Sequence, residues 1–300
     1  MTEIKVNWFA PPVICLLAQT QGHLTRARIV QTAKRTESSD EQYEGLLDSR
    51  FDVVVTAMDN VIGWNRRGAA NDFCVVAQIE TLSPVALVAR PHIQRVEDLA
   101  GQDLLVDSAV NGFVIVLLAM LRDHGLDISR NPLVPAGGVT ERFEALVEGR
   151  GQATLLGPPF VQLAVSQGMT RLVGANDLYP EFPGQGIVMR REELPRLQEP
   201  LGRWLAALER ARAEARTDLS ATRQQLILAG IPETAADFLA HNVPESLVPA
   251  RPGIDVLSGQ RAALGLPGAD DVYTDIADLG PLEHSRADLA LAAGPQSQGG

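Results

Sequence analysis

The sequence predicts an α/β protein built as two lobes, each a largely parallel sheet with helices on its faces. The chain has 300 residues, long for one hydrophobic core and comfortable for two. Strand signals alternate with helix signals along most of it, which is the pattern of βαβ units. One strand, FDVVVTA at 51–57, is apolar in a continuous run, as strands covered on both faces of a parallel sheet are.

IKVNWF (4–9) reads as the first strand. Pro11 and Pro12 then open a helix, VICLLAQTQG, that stops near Gly22, since proline's missing N–H does no harm in a first turn. ARIVQTAKR (27–35) is the next strand. SSDEQYEGLLDSR (38–50) has cap-type serines, an acidic first turn, and Tyr43, Leu46 and Leu47 on one face. After FDVVVTA, Asp59 and Asn60 stand where a buried strand hands over to a helix. Two roles coexist there: capping the free N–H groups of the helix, and touching a ligand at the end of a parallel strand.

PVALVARP (84–91) is a strand closed by Pro91. VEDLAGQDLLVDS gives a short helix, a glycine turn and a strand at 104–107, and SAVNGFVIVLLAMLRDHGLD a helix opening at Ser108 and stopping at Gly125. LVPAGG, ERFEALVEGRG and ATLLGPPF repeat the strand–loop–helix–strand pattern through 133–160. RLVGA (171–175) is a short strand. GIVMRREE is another, feeding a helix at roughly 195–216 with Leu197, Leu201, Leu205 and Leu208 at helical spacing. From about 218 the chain reads as helical, with Leu226, Ile227, Phe238 and Leu239 packing. Residues 245–268, rich in proline and glycine, resist assignment, and the closing LAAGPQSQGG reads as a disordered tail.

Composition narrows the function. Hydrophobic content of 45% and charged content of 21% are those of a soluble globular protein. A net charge of −11 without a basic stripe excludes a nucleic-acid partner but not a small anion, which local N–H groups can hold. Cys15 and Cys74 are too few for a disulfide framework and lie in apolar runs, as inert thiols do. The five histidines form no HExxH and no close pair, so neither a metal site nor a cofactor is expected. FVIVLLAMLRDHG breaks at Arg122 after nine residues, too short for a membrane span. No secretory signal is legible at the amino terminus, so the sequence as written reads as cytoplasmic, with the mature form of an exported protein as the alternative.

Taken in order, the proline-opened first helix, LLDSRFDVVVTAMDN, ARPHIQRVEDLAGQDLLVDSAVNGFVIVLLAMLRDHGL, ERFEALVEGRGQATLLGPPF and GIVMRREELP resemble the type II periplasmic-binding-protein fold. Within it they are most similar to the solute-binding proteins of the sulfonate, taurine, nitrate and thiamine-precursor group. The resemblance covers about residues 4–280 and rests on the order and spacing of several loose motifs. It implies two lobes joined by two crossover strands, PVALVARP and GIVMRREE, with a ligand cleft between them and hinge closure around a small molecule. Lobe one would be 1–85 plus 187–300, and lobe two 90–183. The implied partners are a small-molecule ligand and, for an exported form, an ABC permease.

The resemblance also implies where ligand groups sit: in loops after strands and at helix amino termini. Asn7, Trp8, Phe9 and Ala10 end the first strand, with Trp8 or Phe9 stacking on a planar ligand or one of them packing in the core. Asp59 and Asn60 follow. Ser108, Asn111 and Gly112 suit a carboxylate, sulfonate or phosphate, although plain capping by Ser108 explains them equally. Gly138 brings backbone close to ligand, Pro159 turns at the cleft floor, and Gln185 offers a polar contact. The expected ligand is a small organic anion: a sulfonate, a carboxylate or an aromatic acid.

The same fold hosts a sulfinate desulfinase, dihydroxyphthalate decarboxylases and the thiamine-pyrimidine synthase. The desulfinase nucleophile would fall near Phe9, where there is no cysteine, and the synthase's cysteine- and histidine-rich motifs are absent. Cys15 lies about a turn and a half further on, among apolar neighbours that raise a thiol pKa. Catalysis without cysteine would use Asp59 as base, His23 or His92 as acid and residues 108–112 as an oxyanion site. His23 otherwise reads as a solvated helix end. The sequence thus carries a binder and, as the alternative, a lyase or hydrolase acting on a small organic acid; a sensor module is the third reading.

Overall fold

A computed structural model describes residues 1–110 and 112–293. The chain opens with β1 (Thr2–Trp8), α1 (Val13–Thr20), α2 (His23–Arg26), β2 (Ile29–Arg35), α3 (Ser39–Leu47), β3 (Val53–Ala57), α4 (Asp59–Trp64) and β4 (Phe73–Gln78). It continues with β5 (Ala86–Ala89), a 3₁₀ turn at Val96–Leu99, β6 (Leu104–Val106), α5 (Val114–Asp123), β7 (Leu133–Pro135), α6 (Val139–Val147) and β8 (Ala153–Leu156). Then come α7 (Phe160–Ser166), β9 (Thr170–Gly174), α8 (Ala175–Leu178) and β10 (Gln185–Arg190). Helices close the chain: α9 (Leu194–Thr217), α10 (Leu219–Leu228), α11 (Glu233–His241), α12 (Arg251–Ala263), α13 (Tyr273–Ile276) and α14 (Gly280–Ala293).

The strands form two mixed five-stranded sheets, ordered β2-β1-β3-β10-β4 and β7-β6-β8-β5-β9. In the first, β1 runs parallel to β2 and β3, and β10 runs antiparallel to β3 and β4. In the second, β6 is parallel to β7 and β8, and β5 is antiparallel to β8 and β9. The reversed strand of each sheet is the first one after the chain crosses from the other sheet. The two crossings lie side by side: Ile79 N donates to Gln185 O (3.0 Å) and Ser83 N to Phe182 O (3.1 Å). Glu80 reinforces them, accepting from Gln185 N and Nε2 at 3.1 Å each.

Apolar packing follows the strand faces. Ile4, Val6, Trp8, Val53 and Val55 meet Ile14 of α1 and Trp204, Leu205 and Leu208 of α9. On the opposite face, Val54, Leu46 and Phe73 belong to a cluster that runs through Ile254 of α12 to Ile115 of α5 and to Leu104 and Leu87 of the second sheet. A fully buried side chain of this size contributes about 1.5–3 kcal/mol, so α9 and α12 are held by burial rather than by their polar faces.

Local differences from the sequence reading have physical causes. FCVVAQ (73–78) forms β4, buried at every position, although a six-residue apolar run carries no period of its own. α5 opens at Val114 rather than Ser108, because Gly112 turns the chain at φ +75° just before it. The unassigned stretch 245–268 holds α12, with a proline in its first turn. α14 takes in the first three residues of the expected tail, and 294–300 lie outside the described residues.

Candidate functional site

The carboxyl ends of β1, β3 and β6 and the amino ends of α3 and α6 face one another across the two sheets. A Cβ on Gly138 would lie 3.0 Å from the Phe9 ring and 3.5 Å from the Glu37 backbone, so Phe9 and Gly138 lie close to each other. Arg35 Nη2 donates to Glu141 Oε1 at 2.5 Å, linking β2 to α6. Gly112 N donates to Asp59 Oδ2 at 3.0 Å, and Asn60 Oδ1 lies 3.0 Å from where a Gly112 Cβ would stand. The lobes are therefore in contact over the strand ends.

Asp59 does not cap. Met58 is the α4 N-cap, and Asp59 enters the helix as its first residue with no side-chain cap bond. Its carboxylate accepts instead from Arg261 Nε at 2.6 Å and Arg261 Nη2 at 2.8 Å, with side chains 1% and 3% exposed. Arg261 Nη1 spends itself on Pro267 O (2.6 Å). Burial raises the Asp59 pKa, and the guanidinium and the Gly112 N–H oppose the rise. Three donors thus occupy most of the acceptor sites of the Asp59 carboxylate, and the bidentate guanidinium holds it as an ion pair, an arrangement that does not favour a general base. Asn60 donates from Nδ2 to Thr56 Oγ1 at 2.6 Å.

The second lobe offers a different pair. Asp107 directly follows β6, and Arg142 Nη1 approaches its carboxylate at 3.4 Å. Arg142 also donates from Nη1 to Gly137 O (2.9 Å) and from Nη2 to Leu155 O (3.5 Å). Burial raises the Asp107 pKa; Arg142 opposes this, and the Asp40 carboxylate across the cleft adds to it. Burial lowers the Arg142 pKa, with Asp107 and Glu141 pulling the other way. α6 starts on Gly138 without a cap from that residue, the Glu141 carboxylate interacts with the Gly138 N–H and its own, and the partly used guanidinium of Arg142 stands beside them. Neither Arg142 nor Asp107 was singled out in the sequence; the signal was a lone Arg on a helix opened by a Gly-Gly pair.

The other expected residues scatter. Trp8, 6% exposed, packs in the α1–α9 core, which is the core alternative and not the stacking one. Ser108 lies six residues ahead of α5 and accepts from Val110 N at 3.4 Å, so it does not cap that helix. Asn111 lies outside the described residues. Pro159 is the N-cap residue of α7. Gln185 spends its amide on Glu80 at the crossings rather than on the cleft.

The catalytic candidates are dispersed as well. Cys15 is fully buried and its thiol pKa is pushed far up by burial. His92 is exposed beyond β5. His23 is buried rather than solvated: Arg26 donates to its Nδ1 (2.8 Å), so Nε2 carries the proton and donates to Glu214 (3.0 Å). A separate groove of about 640 Å³ lies between the α1 amino terminus, residues 78–84 and α11, and none of the described site candidates lines it. Among the described residues no cluster of three or more His, Cys, Asp and Glu could hold a metal, and no helix is long and apolar enough to cross a membrane.

No family model and no curated protein sequence matches the chain. Solved structures do. The nitrate-binding protein NrtA from Synechocystis PCC 6803 superposes with a TM-score of 0.76 at 11% identity, over 98% of this chain and 90% of that one. The ligand-binding component of an ABC-type import system from Staphylococcus aureus, with zinc bound, gives 0.75 at 13% identity over 95% and 99%. The alkanesulfonate-binding protein SsuA from Xanthomonas axonopodis pv. citri, bound to MOPS, gives 0.71 at 15% identity over 92% and 98%. The chain has the two-lobed type II periplasmic-binding-protein fold, as its sequence motifs implied.

Proposed function

We propose that the chain is a solute-binding protein that holds a small organic anion, a sulfonate or carboxylate, between lobes comprising 1–85 plus 187–300 and 90–183. The observation that carries this reading is Arg142, a buried guanidinium at the strand ends whose ion pair is long and whose donors are incompletely used, beside the start of α6. Phe9, Asn60, Ser108, Gly112 and Gly138 complete the contact set of this reading, with Phe9 lying against Gly138 and Asn60 against Gly112, and the Phe9 ring offers an aromatic acid a face to lie on. The binding roles in the names of similar structures support it: sulfonate for one, nitrate for another. In that role the protein works in the periplasm and passes its ligand to an ABC permease. The positions of Asp59, Cys15 and His92 lend the lyase or hydrolase alternative no support.

The test is a panel of alkanesulfonates, nitrate, aliphatic and aromatic carboxylates and zinc, read by thermal shift for binding and by mass spectrometry for conversion. At a hundredfold excess over Kd a ligand adds about 2.7 kcal/mol, which moves Tm by roughly 5–10 °C in a chain of this size. The expected outcome is a shift with an organic anion recovered intact, lost in Arg142→Gln. No shift with any anion, or a changed mass, overturns the reading.

A further inference from the structure

The buried polar atoms of the first lobe without a hydrogen-bond partner include three near the strand ends: Asn7 Oδ1, Ser39 Oγ and Gln42 Oε1. Asn7 is the penultimate residue of β1, in register with Val54 of β3. Ser39 and Gln42 are one turn apart on the buried face of α3, at the end where that helix begins. That end looks across the cleft: Glu37 lies against Gly138, and Asp40 acts on Asp107, the partner of Arg142.

Both amides have a fixed orientation. Asn7 Nδ2 donates to Lys34 O at 3.2 Å, and Gln42 Nε2 donates to Val55 O at 3.0 Å. With each NH₂ end spent on the main chain, each amide is left with a carbonyl oxygen that can only accept. Buried acceptors are seldom left without a donor, and none of the described side chains supplies one. A plain alkyl anion would leave them unsatisfied.

We infer that the ligand carries a hydrogen-bond donor, N–H or O–H, at the end remote from its anionic group, and that Asn7 and Gln42 select for it. The inference rests on the anion reading above: the anionic end lies on the second lobe at Arg142, and the donor end lies on the first. A ligand of that kind touches both lobes through different chemistry, so only a molecule bearing both groups satisfies the closed form.

Titration calorimetry on the full chain with propanesulfonate, 3-hydroxypropanesulfonate and 3-aminopropanesulfonate tests it, repeated with butanoate and 4-aminobutanoate. The donor-bearing members should bind roughly tenfold tighter than the plain one in the same series, and the hydroxyl and amine arms show which donor is preferred. Gln42→Met should shrink that ratio toward one. Equal affinity across each series in the unaltered protein overturns the inference, because a bound water then satisfies the corner, while the anion reading stands on the shared affinity. If no member of either series binds, the anion reading fails and the inference falls with it. The ligand series needs no variant, so poor folding of Gln42→Met leaves the test intact.

Discussion

Each lobe carries a buried aspartate–arginine pair at the end of a parallel strand, and the two are built to opposite standards. Asp59, after β3, has both oxygens chelated by Arg261 at 2.6 and 2.8 Å and a third donor from Gly112. Asp107, after β6, meets Arg142 only at 3.4 Å, with side chains 17% and 10% exposed. A bidentate pair with a third donor leaves little of the carboxylate for a ligand, as suits a structural contact. A loose one keeps donors in reserve. The same two residue types at equivalent places in an α/β fold thus differ in how fully they are satisfied, and the proposed binding role falls to the looser pair.

The difference can be broken from either side. Asp59→Ala strands the Arg261 charge in a dry site, and removing one partner of such a pair costs about 3–5 kcal/mol. Urea denaturation should show that loss, and Asp59→Leu combined with Arg261→Met should recover most of it. A loss below about 1 kcal/mol would mean the pair is not what holds α12 to the cleft.

Arg142→Gln should do the reverse. Its effect on unfolding should be small, because the pair it breaks is long. Organic-anion affinity should fall by about 10–100-fold, the range of a charge-assisted hydrogen bond or two. Equal damage to stability in both variants would erase the contrast between the pairs.

Asp107 sharpens it further through pH. Burial raises its pKa, and the charged groups facing it are Arg142, which opposes the rise, and Asp40, which adds to it. The protonated form does not repel an anion on Arg142, so affinity should strengthen as pH falls through the raised value. Asp107→Asn should flatten that dependence; an unchanged slope would place the anion elsewhere.

The smallest expected effect lies at the crossings. Burial raises the Glu80 pKa above its ordinary 4.5, with the two Gln185 donors opposing. A carboxyl raised on folding holds its proton to a higher pH in the fold than in the unfolded chain. Its contribution is therefore complete below about 4.5 and is lost as pH rises through the raised value. Glu80→Gln should remove this slope, measured as unfolding free energy from pH 4 to 8, and leave stability at neutral pH equal or higher.

Much of the fold was legible because capping serines, prolines in first turns and unbroken apolar strands act locally. β3 and α3 needed only their own residues to be read. Asp59 was misread for the opposite reason: its partner Arg261 is 202 residues away, so no local pattern distinguishes a cap from a chelated carboxylate. Ser108 failed as a helix start because the glycine turn four residues on decides where α5 begins. Trp8 is the last residue of β1 and Phe9 the first beyond it, and that Trp8 faces the core depends on where the strand packs and ends, a tertiary fact. Arg142 and Gln42 stayed hidden inside ordinary amphipathic helices, where a buried polar residue looks like any other until its neighbours are known.

The paired crossings have a mechanical consequence. Two independent linkers would leave the lobes free to slide, twist and bend. Here Ile79, Glu80 and Ser83 are bonded to Phe182 and Gln185, so both passages deform as one ribbon. Sliding would shear those bonds, whereas bending across the ribbon preserves them. The soft coordinate left to the molecule is a single swing, and whatever opens one side of the cleft must open the other in step.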